Sequence, residues 1–287
     1  AGNPDNNTLC EAWAVYVFTR ILSQRGQPAS VKASNTGNDD RFGSSIALFD
    51  NTLVVGAPGE KSSATGIDGN QDNNGLIDAG AVYVFSRNNS QWSQQAYIKA
   101  SNTGNDDRFG SSITLFDNTL AVGAPGENSN ATGIDGNQDN NGLSDAGAVY
   151  VFTRNNSQWS QQAYVKASNT GNDDRFGSSV ALCDDTLAAG ATGENSQATG
   201  INGNQDDNSL SDSGAVYAYT RNGTQWGQQA YIKASNTGND DRFGSSVTLC
   251  GDTLAVGASG ESSNATGIDG DQADNSLNDA GAVYAFQ

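Results

Sequence analysis

The residues best suited to chemistry are oxygen donors at alternate positions of a polar loop: Asp68, Asn70 and Asp72, closed by Asp78. Calcium takes about six to eight hard oxygen ligands, and donors at every second position of a tight loop can converge on it. The pattern recurs as Asp135, Asn137, Asp139 and Asp145, and again as Asn202, Asn204, Asp206 and Asp212. A last copy offers Asp269, Asp271 and Asp279, but has Ala273 where the first has Asp72. The third copy loses a charge and keeps every oxygen. The fourth ranks lowest, with Asp274 alone placed to compensate. The competing reading is a solvated loop stitched by Asx-turns. Glu60, Glu127, Glu194 and Glu261 are further candidate ligands, or else solvated loop carboxylates.

Other chemistries find little support. The chain has no His, which removes Ser-His-Asp and Cys-His catalysis and His-ligated zinc. A carboxylate pair can hydrolyse glycosides, but it needs unique residues in one place. Here the polar clusters are copied, and the one-off residues Cys10, Trp13, Arg25 and Lys61 form no catalytic set. The expectation is a protein that is not an enzyme. Asp39-Asp40-Arg41 and its copies read as a turn in which Arg pairs a carboxylate and the neighbouring Phe42 inserts between blades, with a second cation site as the alternative. Trp92, Trp159 and Trp226 read as rim packing, each indole N–H on a backbone carbonyl, with sugar stacking as the alternative. Trp13 stands where later copies have Gly and is expected to cover the N-terminal edge. Cys183 and Cys250 replace Phe49 and Phe116 and read as small buried residues; Cys10 is a candidate for a bridge to one of them.

Apart from the one-off residues, these features are periodic. SNTGNDDRFG starts at Ser34, Ser101, Ser168 and Ser235, evenly spaced along the chain. Each unit reads as four strands: SSIALF (44–49), TLVVGAP (52–58), AVYVF (81–85) and QQAYIKA (94–100), with turns at Asp50-Asn51 and Asn88-Asn89 and a long polar loop at 59–80. AVYVF and LVVGA are apolar on both faces, as strands between packed sheets must be. QQAYIKA, with its Gln and Lys, reads as a half-exposed outer strand. Four-stranded units stacked face to face describe propeller blades.

The predicted fold is therefore all-β, a propeller-type array of four-stranded antiparallel blades. A tail covers 1–13, and a single repeat domain covers 14–287, with units at 34–100, 101–167, 168–234 and 235–287. Residues 14–33 form a partial unit. AVYVF-like strands occur five times against four of each other kind. The N-terminal VKAS (31–34), with Pro28 at its start, is expected to serve as the outer strand of the last blade. The surplus strand then covers a sheet edge or completes a neighbouring molecule.

Net charge is −18, which repels nucleic acid and anionic membranes and suits cation binding. No apolar run approaches the roughly 20 residues of a membrane span. The chain has no Met, which reads as a processed start after removal of a secretory signal.

The repeat resembles the FG-GAP repeat of integrin α-subunit propellers and their bacterial relatives. The FG pairs are Phe42-Gly43, Phe109-Gly110, Phe176-Gly177 and Phe243-Gly244. The GAP triplets are Gly56-Ala57-Pro58 and Gly123-Ala124-Pro125, drifting to Gly190-Ala191-Thr192 and Gly257-Ala258-Ser259. The resemblance implies a propeller, calcium loops, and adhesion or ligand binding at the cell surface or outside the cell. The family loop is similar to D-x-N-x-D-G-x-x-D; here it is two residues longer before its last Asp. The expected function is an extracellular calcium-binding module in adhesion or ligand binding, with an unidentified protein or glycan partner. A second reading is a self-associating subunit of a surface layer or filament, joined head-to-tail by strand exchange. A glycan-binding lectin is the third.

Overall fold

The computed structural model describes residues 13–18, 20–21, 24–25 and 29–287. Residues 1–12, Cys10 among them, and Pro28 lie outside these. Among the described residues every regular element is a strand. The chain divides into two compact units, Ala1–Ser111 and Ser112–Gln287.

In the first unit, β1 (Val15–Val17) pairs antiparallel with β4 (Ala29–Val31), while β2 (Arg20–Ile21) and β3 (Gln24–Arg25) form a small hairpin between them. The sheet that follows runs in sequence order: β5 (Ser45–Phe49), β6 (Thr52–Ala57), β7 (Ala81–Asn88) and β8 (Gln91–Ile98). The second unit repeats it twice, with β9 (Ser112–Phe116), β10 (Thr119–Ala124), β11 (Ala148–Asn155) and β12 (Gln158–Val165), then β13 (Phe176–Cys183), β14 (Thr186–Ala191), β15 (Ala215–Asn222) and β16 (Gln225–Ile232). A last sheet holds three strands, β17 (Phe243–Cys250), β18 (Thr253–Ala258) and β19 (Ala282–Phe286).

The expected strands all form. The hairpins close with two-residue loops: Phe49 pairs Thr52 and Asn88 pairs Gln91. Asp50 and Asn89 adopt positive φ there, which Asp and Asn tolerate better than other side chains. β6 and β7 through Phe85 are buried on both faces, as their apolar alternation requires. The outer strand is only half as predicted. β8 is exposed at its start, but Ala96–Ile98 are buried. A bulge between Val84 and Phe85 separates the two halves, and it recurs in the next two sheets.

VKAS does not join the last sheet. β4 pairs with β1, and Val15 and Val31 are both buried in one cluster with Phe42, Leu53 and Tyr83. Burial of large apolar side chains stabilises each by about 1.5–3 kcal/mol, which holds the pair where it is. Trp13, expected to cover this edge, is about half exposed.

The FG phenylalanines from the second onward bridge back to the glycine just ahead of a third strand. Phe109 makes a parallel bridge to Gly80, Phe176 to Gly147 and Phe243 to Gly214. Gly80 has φ +82, and a Cβ there would stand 2.1 Å from the Phe109 carbonyl oxygen. Only glycine permits that approach. The Phe42 ring meets Tyr83 and Phe85 edge-on at 5.5 and 6.2 Å, the favoured aromatic geometry. Arg41 lies 3.6 Å from Asp78, so the NDDRFG turn is built as the structural reading expects.

Candidate functional site

The predicted metal loops are held by hydrogen bonds to the outer strand. Asp68 donates its N–H to the Tyr97 carbonyl, and its Oδ1 accepts the Tyr97 N–H at 2.9 Å. Lys99 and Gly66 bond through their backbones as well, so 66–68 lies along the free edge of β8 and protects it. Asp135 clamps Tyr164 at 2.9 Å and Asn202 clamps Tyr231 at 3.0 Å. This explains why the third copy keeps an oxygen but does not need the charge.

The other donors are partly committed too. The Asn70 Oδ1 accepts the Asp72 N–H, the Asn137 Oδ1 that of Asp139, and the Asn204 Oδ1 that of Asp206. These are the Asx-turns of the structural reading. In the fourth loop, Asp271 accepts the Ala273 N–H, and Asp274 accepts that of Ser276. Asp78, Asp145, Asp212 and Asp279 close the loops at positive φ. Asp145 and Asp212 donate their N–H groups to the side chains of Asn128 and Asn195. Among the described residues no three or more acidic side chains are grouped as a metal site would hold them.

The glutamates after the GAP triplets have a different role from either one expected. Glu60 is buried, and its Oε2 lies 2.8 Å from the Nζ of Lys99, which is fully buried. The pair recurs as Glu127–Lys166 and Glu194–Lys233, each at 2.8 Å. Lys233 also reaches Ser213, and Asn169 donates to the other Glu194 oxygen. The fields of Asp174 and Asp241 act on Lys233 as well. Burial pulls the Lys233 ammonium below the ordinary lysine range, and the Glu194 carboxylate opposes that. Such a pair adds little net stability over apolar residues, but losing one partner strands a buried charge at a cost of about 3–5 kcal/mol. The lysine sits at the end of the outer strand, so it locks that strand to the loop.

Buried aspartates surround the pair. Asp174 accepts the Gly171 N–H at 2.6 Å, and burial pushes its carboxyl up to about 7, with the nearby Glu194 charge adding to the rise. Asp40 is pushed up to about 6, again by burial first. The Tyr97 hydroxyl is buried beside Glu60 and Ser62, and burial raises its titration well above the ordinary tyrosine range.

The profile of the FG-GAP repeat family matches residues 26–85, 92–152, 159–219 and 226–286. The chain belongs to the FG-GAP repeat family. The sheets are thus blades of propeller type, built from four FG-GAP units in tandem. No curated protein sequence matches it.

Within these FG-GAP blades the tryptophans pack at the rim. Arg87, Arg154 and Arg221 lie over Trp92, Trp159 and Trp226 at 5.6, 5.2 and 5.2 Å, within cation–π range. The Trp226 indole donates to the Gln162 side chain, a bulge residue, in place of the expected backbone carbonyl. Cys183 is half-buried, its sulfur accepting the Gly251 N–H at 3.3 Å, and Cys250 is exposed, both as free thiols; the buried reading fails for Cys250, which shares its side of β17 with exposed Ser246 and Thr248.

Proposed function

We propose that this FG-GAP protein is an extracellular recognition module, acting in adhesion or ligand binding through the polar loops between its second and third strands. One observation carries the reading. The same loop is clamped in the same way in successive blades, by Asp68 on Tyr97, Asp135 on Tyr164 and Asn202 on Tyr231. Rigid repeated loops suit multivalent surface recognition and supply no unique catalytic group. On that ground the module is non-catalytic.

Calcium enters the proposal through donor spacing and the family resemblance, not through gathered ligands. It would draw on Asp68, Asp72 and Asp78 and their copies, most strongly in the first two loops. Bound metal stabilises the native state. Thermal unfolding in millimolar calcium against chelator should show a higher Tm with calcium, reduced in an Asp72→Ala, Asp139→Ala double variant. An unchanged Tm removes calcium from the reading. Capture of glycans and matrix proteins on an array, with the loop double variant as control, tests recognition. No capture under any condition contradicts it.

A further inference from the structure

The buried ion pair of the first blade has two further members. Glu60 accepts from the Lys99 Nζ on its Oε2 at 2.8 Å and from the Asn35 side-chain amide on its Oε1 at 3.0 Å. One carboxylate thus holds an amine with one oxygen and an amide with the other. The Tyr83 hydroxyl donates to the Asn35 Oδ1 at 2.5 Å. The Asn35 Nδ2 also donates to the Gln71 backbone carbonyl at 3.0 Å. Lys99 and Tyr83 are fully buried and Glu60 nearly so, while Asn35 is half-buried.

Each contact favours one step of an acyl transfer. Burial pulls the Lys99 ammonium below the ordinary lysine range, against the opposing charge of Glu60. That raises the share of free amine, which is the nucleophilic form. The Tyr83 hydroxyl faces the amide oxygen on which negative charge develops during attack. Glu60 touches both nitrogens, so it can take a proton from one and give a proton to the other. The half-exposed side of Asn35 gives the leaving group a route to solvent.

We propose that Lys99 and Asn35 join in an intramolecular isopeptide bond. Glu60 takes one proton from the Lys99 ammonium, and the free Nζ attacks the Asn35 Cγ. The Nζ–Cγ bond forms and the Cγ–Nδ2 bond breaks as a second proton moves from Nζ to Nδ2. Ammonia leaves and takes the first proton from Glu60 as ammonium, which restores the carboxylate. No oxidant or cofactor enters the balance. The bond ties the segment after β4 to the end of β8, and it restricts the unfolded chain as a disulfide does.

The third blade supplies a control. Asn169 and Lys233 meet the two oxygens of Glu194 at 3.1 and 2.8 Å, and Tyr217 donates to the Asn169 Oδ1 at 2.5 Å. There Lys233 also donates to the Ser213 hydroxyl at 2.8 Å, where the first blade has Ala79. An extra acceptor on the ammonium favours its charged form, so Lys233 stays in an ion pair.

The test is mass spectrometry of the denatured full chain and its tryptic digest, for the unaltered protein, Glu60→Gln, Lys99→Arg and Tyr83→Phe. The unaltered protein should give one linked species that joins the Asn35 and Lys99 peptides. It should be uncleaved after Lys99 and lighter than the two peptides together by one ammonia. Asn169 and Lys233 should appear in unlinked peptides of the same digest. Glu60→Gln and Lys99→Arg should abolish the link, and Tyr83→Phe should leave a larger unlinked share. Asn35 and Lys99 in separate peptides of full mass in the unaltered protein overturn the proposal, whatever the variants do. So does a link that persists in Glu60→Gln, or equal linkage of Asn169 to Lys233.

Discussion

The sheets β13–β16 and β17–β19 lie in the same unit and share nearly the same sequence, yet one is sealed and the other open. In the first, β14 and β15 are buried along most of their length; in the second, β18 and β19 alternate between more and less buried positions. Glu194 holds a lysine, whereas Glu261 is buried among the described residues without one. The difference teaches that the outer strand does more than cover an edge. It delivers a buried cation to a pocket of carboxylates, and the loop beside it takes its shape from that strand.

The largest effect should separate two equivalent glycines. Gly214 has φ +79, and a Cβ there would stand 2.2 Å from the Phe243 carbonyl oxygen; at Gly281, φ +75, the nearest atom is 3.6 Å away. Gly214→Ala adds a steric clash to backbone strain and should cost about 3 kcal/mol or more, against about 1–2 kcal/mol for Gly281→Ala. Urea unfolding measures both. Equal costs would break the comparison.

Next comes the ion pair. Lys233→Met leaves Glu194 buried without its cation and should cost about 3–5 kcal/mol. Adding Glu194→Leu should restore much of the loss. Glu261→Gln, with no lysine to strand, should cost about 1 kcal/mol or less. Calorimetric unfolding of these variants decides it.

Titration gives a smaller effect. Folded Asp174 keeps its proton up to about pH 7, whereas in the unfolded chain it is released near pH ~4. Between those values the native state binds more protons, so stability is gained as pH falls from about 7 and lost as it rises through 7. Tm should climb as pH is lowered through this window. Asp174→Asn, which keeps an acceptor for the Gly171 N–H, should flatten the climb. The smallest effect belongs to the rim: Arg221→Ala loses the Trp226 stack and the 2.7 Å contact to Asp185, about 1 kcal/mol.

Much of this was legible in the sequence. The even spacing of the four SNTG segments sets the sheets, and two-faced apolar runs set their interior strands. Phe42, read as inserting between blades, is buried against Tyr83 and Phe85. The role of Lys99 was not legible, because a lysine in QQAYIKA looks solvated until Glu60, from the loop after the second strand, is known to lie beneath it. The usable signal was the co-occurrence of Glu after GAP and Lys before SNTG in each complete unit, with Glu261 left over. Asp68 misled in another way. Its oxygen suits a metal, but the same oxygen suits a strand N–H, and only the register of Tyr97 decides which it meets. The position of VKAS depended on tertiary burial of Val15 and Val31, which no local pattern encodes.

The central claim is that a buried glutamate–lysine pair locks the outer strand of a complete blade to the loop after its second strand. Hydrogen exchange tests it where the loop clamps β16, because Asn202 and Tyr231 bond each other there. Lys233→Met should speed exchange of the Asn202 and Tyr231 amides while leaving 215–219 unchanged. Unchanged protection of Asn202 and Tyr231 would contradict the account.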